Sequence, residues 1–126
     1  MRVLFSIHPE YAESILDGSK KFEFRRRIYA RNDVKTVVIY ATAPIGMIIG
    51  EFDIGEVLSD TPENLWARTK RHAGIDLGYF SKYFDGREEA FAISVKKARR
   101  YKKPVSLVDV FPDSPVAPQS FRYMAA

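Results

Sequence analysis

Apolar and polar positions along this chain repeat with two different periods, and the switches between them divide it into short elements. Val3-Leu4-Phe5-Ser6-Ile7 is an apolar run of strand length, stopped by Pro9. From Glu10 to Asp17 the period lengthens. Tyr11, Ala12, Ile15 and Leu16 fall on one side of a short helix, and Gly18 suits the position just past its end. Lys20 to Arg27 returns to a period of two, with Phe22 and Phe24 on one face and Lys21, Glu23 and Arg25 on the other. Arg31-Asn32-Asp33 predicts a turn, Thr36 to Thr42 a central strand buried on both faces, and Ala43-Pro44-Ile45-Gly46 a second turn. Met47 to Val57 predicts another strand, polar at Glu51 and Asp53. Gly50 and Gly55 are placed to bend or bulge it where a sheet curls.

The middle of the chain has helical spacing. Thr61 suits an N-cap and Pro62 the first helical position, and Leu65, Trp66, Thr69 and Ala73 share a face that ends at Gly74. Asp76 caps a second short helix with a stripe of Phe80, Tyr83 and Phe84, closed by Gly86. Phe91 to Val95 predicts a strand that continues into the basic run Lys96 to Lys103. The tail from Phe111, with Pro112, Pro115 and Pro118, predicts irregular chain up to a closing strand over residues 119–123. Five or six short strands with three small helices point to one α+β domain over residues 1–126, mainly β, built as a small mixed barrel.

Composition narrows the chemistry. The chain has 126 residues, nine phenylalanines, seven tyrosines and no cysteine, which removes disulfides, zinc–thiolate sites and a cysteine nucleophile. Two histidines make a His-rich metal site a poor expectation, and neither a metal nor another cofactor is expected. The opening MRVLFSIHPEY lacks the features of a signal peptide and no stretch approaches a membrane span, so a soluble, cytoplasmic protein is expected. A net charge of +4 favours an anionic partner only weakly; its clustering says more.

The first cluster is Gly18-Ser19-Lys20-Lys21-Phe22-Glu23-Phe24-Arg25-Arg26-Arg27, five cations and one acid in ten residues. Glu23 and Arg25 share a strand face and can bind each other or a common ligand, and Lys20 at the preceding turn can reach the same place. Neighbouring arginines would disfavour the ammonium form of Lys20, which a general-base or nucleophilic lysine requires. The opposing reading is a solvated edge strand whose charges prevent aggregation. The spacing Gly18-x-Lys20-x-x-Glu23-x-Arg25 resembles the G-x-K-x-x-E-x-R signature of the ASCH domain, a branch of the PUA-like superfamily. Ser6-Ile7-His8-Pro9 is similar to that family's first strand and helix entry. The resemblance implies a PUA-like barrel flanked by short helices, with a cleft lined by the motif. It implies binding of RNA or a nucleotide. Some members are proposed regulators, some are amidohydrolases of acetylated cytidine and others are described as ribonucleases. The amidohydrolases place Thr where Glu23 stands, and Glu23 has no hydroxyl. Ser19 and Ser6 are the candidate substitutes, and Glu51 and Asp76 are candidates for a further carboxylate.

The second cluster is Lys96-Lys97-Ala98-Arg99-Arg100-Tyr101-Lys102-Lys103, in which cations surround an aromatic ring that can receive a base. Its opposing reading is a solvated edge kept soluble by charge. His8 is either a cleft donor or a helix-start residue. His72, at a helix end, and Trp66, Phe80, Tyr83 and Phe84, on apolar stripes, read as structural. Thr42 and Pro44 form either an opposite cleft wall or a plain turn, and Gln119 and Ser120 are placed to reach the cleft from the tail.

The leading expectation is a binding module. Lys20, Lys21, Glu23, Arg25, Arg26, Arg27 and His8 hold RNA or one nucleotide, and Lys96, Lys97, Arg99, Arg100 and Tyr101 carry the flanking backbone. The rival is an enzyme, a hydrolase of modified nucleosides such as N-acylated cytidine or a metal-independent ribonuclease, with Lys20 and Glu23 catalytic. A third reading is a regulatory adaptor whose basic face meets an acidic protein. No membrane partner is expected, and the sequence says nothing of oligomeric state.

Overall fold

The computed structural model describes residues 1–124. The first strand, β1 (Arg2–Ile7), leads through the exposed His8 into helix α1 (Pro9–Asp17), with proline in its first turn and Gly18 closing it in the left-handed region. Strand β2 (Phe22–Arg25) is shorter than its alternating pattern, because Arg26 and Arg27 leave the sheet at a bend. Strands β3 (Thr36–Ala41) and β4 (Met47–Asp60) follow, and then helix α2 (Pro62–Thr69), in which the Thr61 side chain accepts from the Asn64 amide. A 3-10 turn over Lys70–His72 leads to helix α3 (Leu77–Tyr83), whose cap Asp76 accepts from the Tyr79 amide at 2.7 Å. Strand β5 (Ala90–Val105) is the longest element and takes in the whole second basic cluster. Helix α4 (Leu107–Val110), which periodicity did not reveal, precedes the proline-rich tail and closing strand β6 (Phe121–Met124).

The six strands form one sheet in the order β2-β5-β4-β3-β1-β6, curled into a half-barrel. β1 and β3 run parallel, and every other pairing is antiparallel. The register of β4 against β5 shifts three times, once between Ile48 and Gly50 and once between Ile54 and Val57. Such extra residues bend a strand and let the sheet curl. At Gly50 only glycine fits: an added Cβ would stand 2.6 Å from the Arg99 carbonyl oxygen and 2.9 Å from Leu16 Cδ2.

The central strands are covered on both sides, as their unbroken apolar runs require. Val3, Phe5, Val37 and Ile39 pack with Ala12 and Ile15 of α1 inside the curl, whereas Leu4 and Val38 meet Ile48 and Met124 on the reverse face. A third cluster joins the sheet to α2 and α3 through Phe24, Leu65, Phe80 and Phe84, and Trp66 is half-buried against it. Fully burying one such aromatic contributes about 1.5–3 kcal/mol, which fixes α3 across the end of β2. Among the described residues no helix is long and apolar enough to cross a membrane.

Candidate functional site

Edge strand β2 turns its two faces toward different surroundings. Phe24 points into the aromatic cluster, with its ring edge-on to Phe80 at a centroid distance of 5.2 Å. Glu23 and Arg25 point the other way, and both are 7% exposed. The face expected to be polar is therefore not a solvated edge. Lys21, outside the strand, is the member that stands exposed.

Arg25 is held at every donor. Its Nε donates to Glu23 Oε2 at 3.1 Å, Nη1 to the Ser120 carbonyl at 3.1 Å and the Ser120 hydroxyl at 3.3 Å, and Nη2 to the Ser6 carbonyl at 3.1 Å. Its guanidinium lies 4.0 Å above the Phe5 ring. The rigid fork of an arginine suits this role: one side chain ties the β2 edge to β1 and to the entry of β6, across the open seam of the half-barrel. Arg25 is thus a brace across that seam as well as part of the cavity lining. It leaves Glu23 with one oxygen, Oε1, that accepts from no protein donor among the described residues.

Lys20 lies just before β2 and is 2% exposed. Its Nζ donates to the Ala73 carbonyl at 2.6 Å and sits 4.9 Å from the Phe24 ring centre and 5.4 Å from that of Tyr11. Burial among these rings pulls its pKa down to about 8, and the nearby Glu23 carboxylate opposes that shift. The direction matches the sequence expectation, but its cause is desolvation and not repulsion from arginines. The chain from His72 to Gly74 clasps this lysine. The His72 carbonyl accepts from the Lys21 amide at 2.9 Å, and a Cβ on Gly74, at φ +70°, would stand 2.5 Å from Lys20 Cγ. Gly74 ends the helical region as expected, and the reason for glycine there is the lysine stem as much as the turn.

Above Lys20 and Glu23 opens a cavity of about 190 Å³. Its floor is Ser6, Lys20, Glu23 and Arg25; its walls include His8, Arg26 and Gln119. Its rim is aromatic: Tyr11 and Tyr79 meet edge-on at 5.5 Å, Tyr79 and Tyr83 lie nearly parallel at 6.4 Å, and the Arg26 guanidinium stacks over Tyr83 at 4.5 Å. Burial, helped by Tyr79, pushes the Tyr11 hydroxyl up to about 12. The pattern places Tyr11 on the helix stripe and Tyr83 in the core, whereas both are half-buried with one edge on the cavity. Tyr79, 40% exposed, drew no notice because a solvent-facing tyrosine on a short helix breaks no pattern.

Of the expected site residues the fold brings together His8, Lys20, Glu23, Arg25 and Arg26, with Gln119 from the tail. Arg27 lies in an adjoining depression with Ser120. Lys96, Lys97, Arg99, Arg100 and Tyr101 lie on β5 outside the cavity, and much of their charge is already met. Arg99 pairs with Glu51 and Asp53, Arg100 with Glu13, and the Tyr101 hydroxyl donates to Glu51 at 2.5 Å. Glu51 and Asp76, considered as catalytic carboxylates, are thus a β5 partner and a helix cap, and neither lines the cavity. Thr42 and Pro44 do not line it either. The Ser6 hydroxyl donates to the Pro118 carbonyl at 2.6 Å, and Ser19 faces Ser14 outside the cavity. Neither serine offers a free nucleophile. Among the described residues no three His, Asp or Glu side chains gather as a metal cluster.

The ASCH domain family model matches residues 5–102, which runs from within β1 to Lys102 in β5 and takes in the cavity floor. An ASCH domain-containing ribonuclease of Zymomonas mobilis is 33% identical over 93 residues, 74% of this chain and 63% of that protein. Large ribosomal subunit protein uL22 of Ureaplasma parvum is 25% identical over 122 residues, 97% of this chain and 39% of that protein. The chain thus spans less than two thirds of the length of either relative. The crystal structure of ASCH from Zymomonas mobilis superposes with a TM-score of 0.89 at 29% identity, covering 98% of this chain and 87% of that one. Profile, sequence and curled sheet agree with the Gly18-x-Lys20-x-x-Glu23-x-Arg25 motif on the cavity floor, and the chain belongs to the ASCH domain family.

Proposed function

We propose that the cavity holds one nucleotide of single-stranded RNA, splayed out of its strand. The observation that carries this reading is a small concave site in which a buried amine and a buried carboxylate face the same space beneath three tyrosine rings. At about 190 Å³ it is smaller than the roughly 300–1,000 Å³ of drug-sized sites. It suits a base or sugar and excludes a duplex. Glu23 Oε1 accepts from an amino or imino group of the base. The Tyr79 and Tyr83 rim offers a stacking face worth about 1–3 kcal/mol per base. Lys20 and Arg26 meet a carbonyl or phosphate oxygen. Arg25 acts through Glu23 as a positioning residue. Unstacked bases are the form in which RNA exposes such edges.

A second reading, ribonuclease, is favoured by the Lys20 pKa of about 8 and by the name of the Zymomonas relative. A neutral Lys20 amine takes the proton of a ribose 2′-hydroxyl, and that oxygen attacks the adjacent phosphorus. The bond from phosphorus to the 5′-oxygen breaks, and the departing oxygen receives a proton from the lysinium just formed or from water. Arg26 faces the charge that develops on phosphate. A pKa near the working pH is what such a proton carrier requires. Hydrolysis of N-acylated cytidine gains less support, because both candidate serines are held by backbone carbonyls.

The test is calorimetric titration with uridine and cytidine monophosphates, beside incubation of short RNAs and N-acylated cytidine across pH. Binding that Lys20→Met abolishes is expected. Wild-type protein that binds no mononucleotide would overturn the proposal. RNA cleavage that rises with pH up to about 8 and vanishes in Lys20→Met would establish the second reading.

A further inference from the structure

Next to the cavity lies a second depression of about 320 Å³, lined by Arg26, Arg27, Tyr83, Arg87 and Gln119. It shares Arg26, Tyr83 and Gln119 with the cavity, so the two form one continuous path. We propose that this groove is the backbone subsite for the strand flanking the held nucleotide, with Arg26, Arg27 and Arg87 taking its phosphates. The proposal rests on the nucleotide reading of the cavity and adds a direction of travel, past the end of α3 and away from the β5 basic run.

Three observations carry it. First, Arg26, Arg27 and Arg87 are exposed and make no ion pair among the described residues, whereas Arg99 and Arg100 on β5 are matched by Glu51, Asp53 and Glu13. A cation already paired must give up its partner before it meets a phosphate; an unpaired one displaces only mobile counterions. Second, Arg26 is stacked on Tyr83 at 4.5 Å exactly where the two depressions meet. Stacking fixes the plane of its fork and leaves its edge donors free for phosphate oxygens. Third, the groove draws Arg27 from the bend after β2 and Arg87 from the loop after α3, two segments 60 residues apart in the chain that the Phe24–Phe80 contact locks together. Arg87 stands alone in the sequence between acidic residues, so nothing local marks it.

The experiment compares the salt dependence of binding to a 2′-O-methyl oligouridylate, which cannot be cleaved by 2′-hydroxyl attack, with binding of uridine monophosphate. For the double variant Arg27→Ala/Arg87→Ala, the slope of log affinity against log salt is expected to fall by about 1.4, at roughly 0.7 per phosphate contact on a single strand, while uridine monophosphate affinity holds. Arg99→Ala/Arg100→Ala is expected to leave the slope near that of wild type. An unchanged slope in the Arg27/Arg87 double variant, or a larger fall in the β5 double variant, would overturn the groove while the cavity reading stands. Failure of wild-type protein to bind uridine monophosphate at all would remove the cavity reading, and the groove with it. All four arginines are exposed, so circular dichroism of the variants is expected to match wild type.

Discussion

The two basic segments of this protein look alike in sequence and differ in what the fold does with them. Lys20 to Arg27 places an ammonium and an ion pair below the surface, at the floor of a cavity. Lys96 to Lys103 lies along the longest strand with its arginines matched by acids from β4 and α1. The second segment holds six cations in eight residues against five in eight for the first, yet the first holds the unusual electrostatics. Cation density in a sequence measures supply. Burial and the presence of a partner acid decide whether a charge is free to recognise anything.

The sharpest way to break this comparison is to remove one arginine from each segment. Arg25→Ala strands a buried Glu23 carboxylate and unties the seam between β2, β1 and β6, and is expected to destabilise the fold by about 3–5 kcal/mol. Arg99→Ala, from a pair whose arginine is 44% exposed, is expected to cost less than about 1 kcal/mol. Urea denaturation measures both, and equal losses would show that the two ion pairs are equivalent after all.

Next in size is the effect of pH. The unfolded chain holds the Lys20 proton up to about its ordinary value of 10.5, while the folded chain releases it above about 8. Between those values the unfolded state binds more protons, so stability rises with pH. Over pH 8 to 10 the gain is expected to be about 2 kcal/mol. Above pH 10 the raised tyrosines reverse the trend, because folded Tyr11 keeps a proton that the unfolded chain loses. Lys20→Met removes the rise, and Lys96→Met leaves it. A rise that survives in Lys20→Met places the titrating group elsewhere.

A finer comparison uses two glycines. Gly74 and Gly46 both have positive φ, at +70° and +63°, but a Cβ at Gly74 meets the Lys20 stem at 2.5 Å while at Gly46 it meets only the Tyr40 hydroxyl at 3.7 Å. Each alanine substitution carries a backbone cost of about 1–2 kcal/mol. Only Gly74→Ala is expected to weaken mononucleotide binding, by about tenfold, the equivalent of one charge-assisted hydrogen bond. Equal binding by the two variants would show that the position of Lys20 does not matter to the ligand.

Much of the fold was legible because local signals agreed with tertiary ones. The apolar runs at Val3 to Ile7 and Thr36 to Thr42 are strands buried on both faces, Thr61 and Asp76 cap the helices they were expected to cap, and Gly50 and Gly55 lie at shifts in register. Helix α4 was not, since a single turn of Leu107–Val110 has too few residues to show a period. The motif residues Lys20, Glu23 and Arg25 line one cavity, as their spacing suggested, but spacing could not show which of their donors the fold already engages. The partners of Arg25 are Ser6 of β1 and Ser120 just before β6, both distant from it in the chain. The tyrosine rim was missed for a similar reason. An aromatic with one face on the core and one on a cavity has the same sequence signature as a core aromatic.

The most direct measurement is a uridine monophosphate titration followed by nuclear magnetic resonance, because it asks which basic segment the ligand touches. Chemical-shift changes are expected at His8, Lys20, Glu23 and Tyr79, with Lys96 to Lys103 undisturbed. Changes confined to Lys96 to Lys103, with the cavity residues silent, would contradict the assignment of the cavity as the nucleotide site.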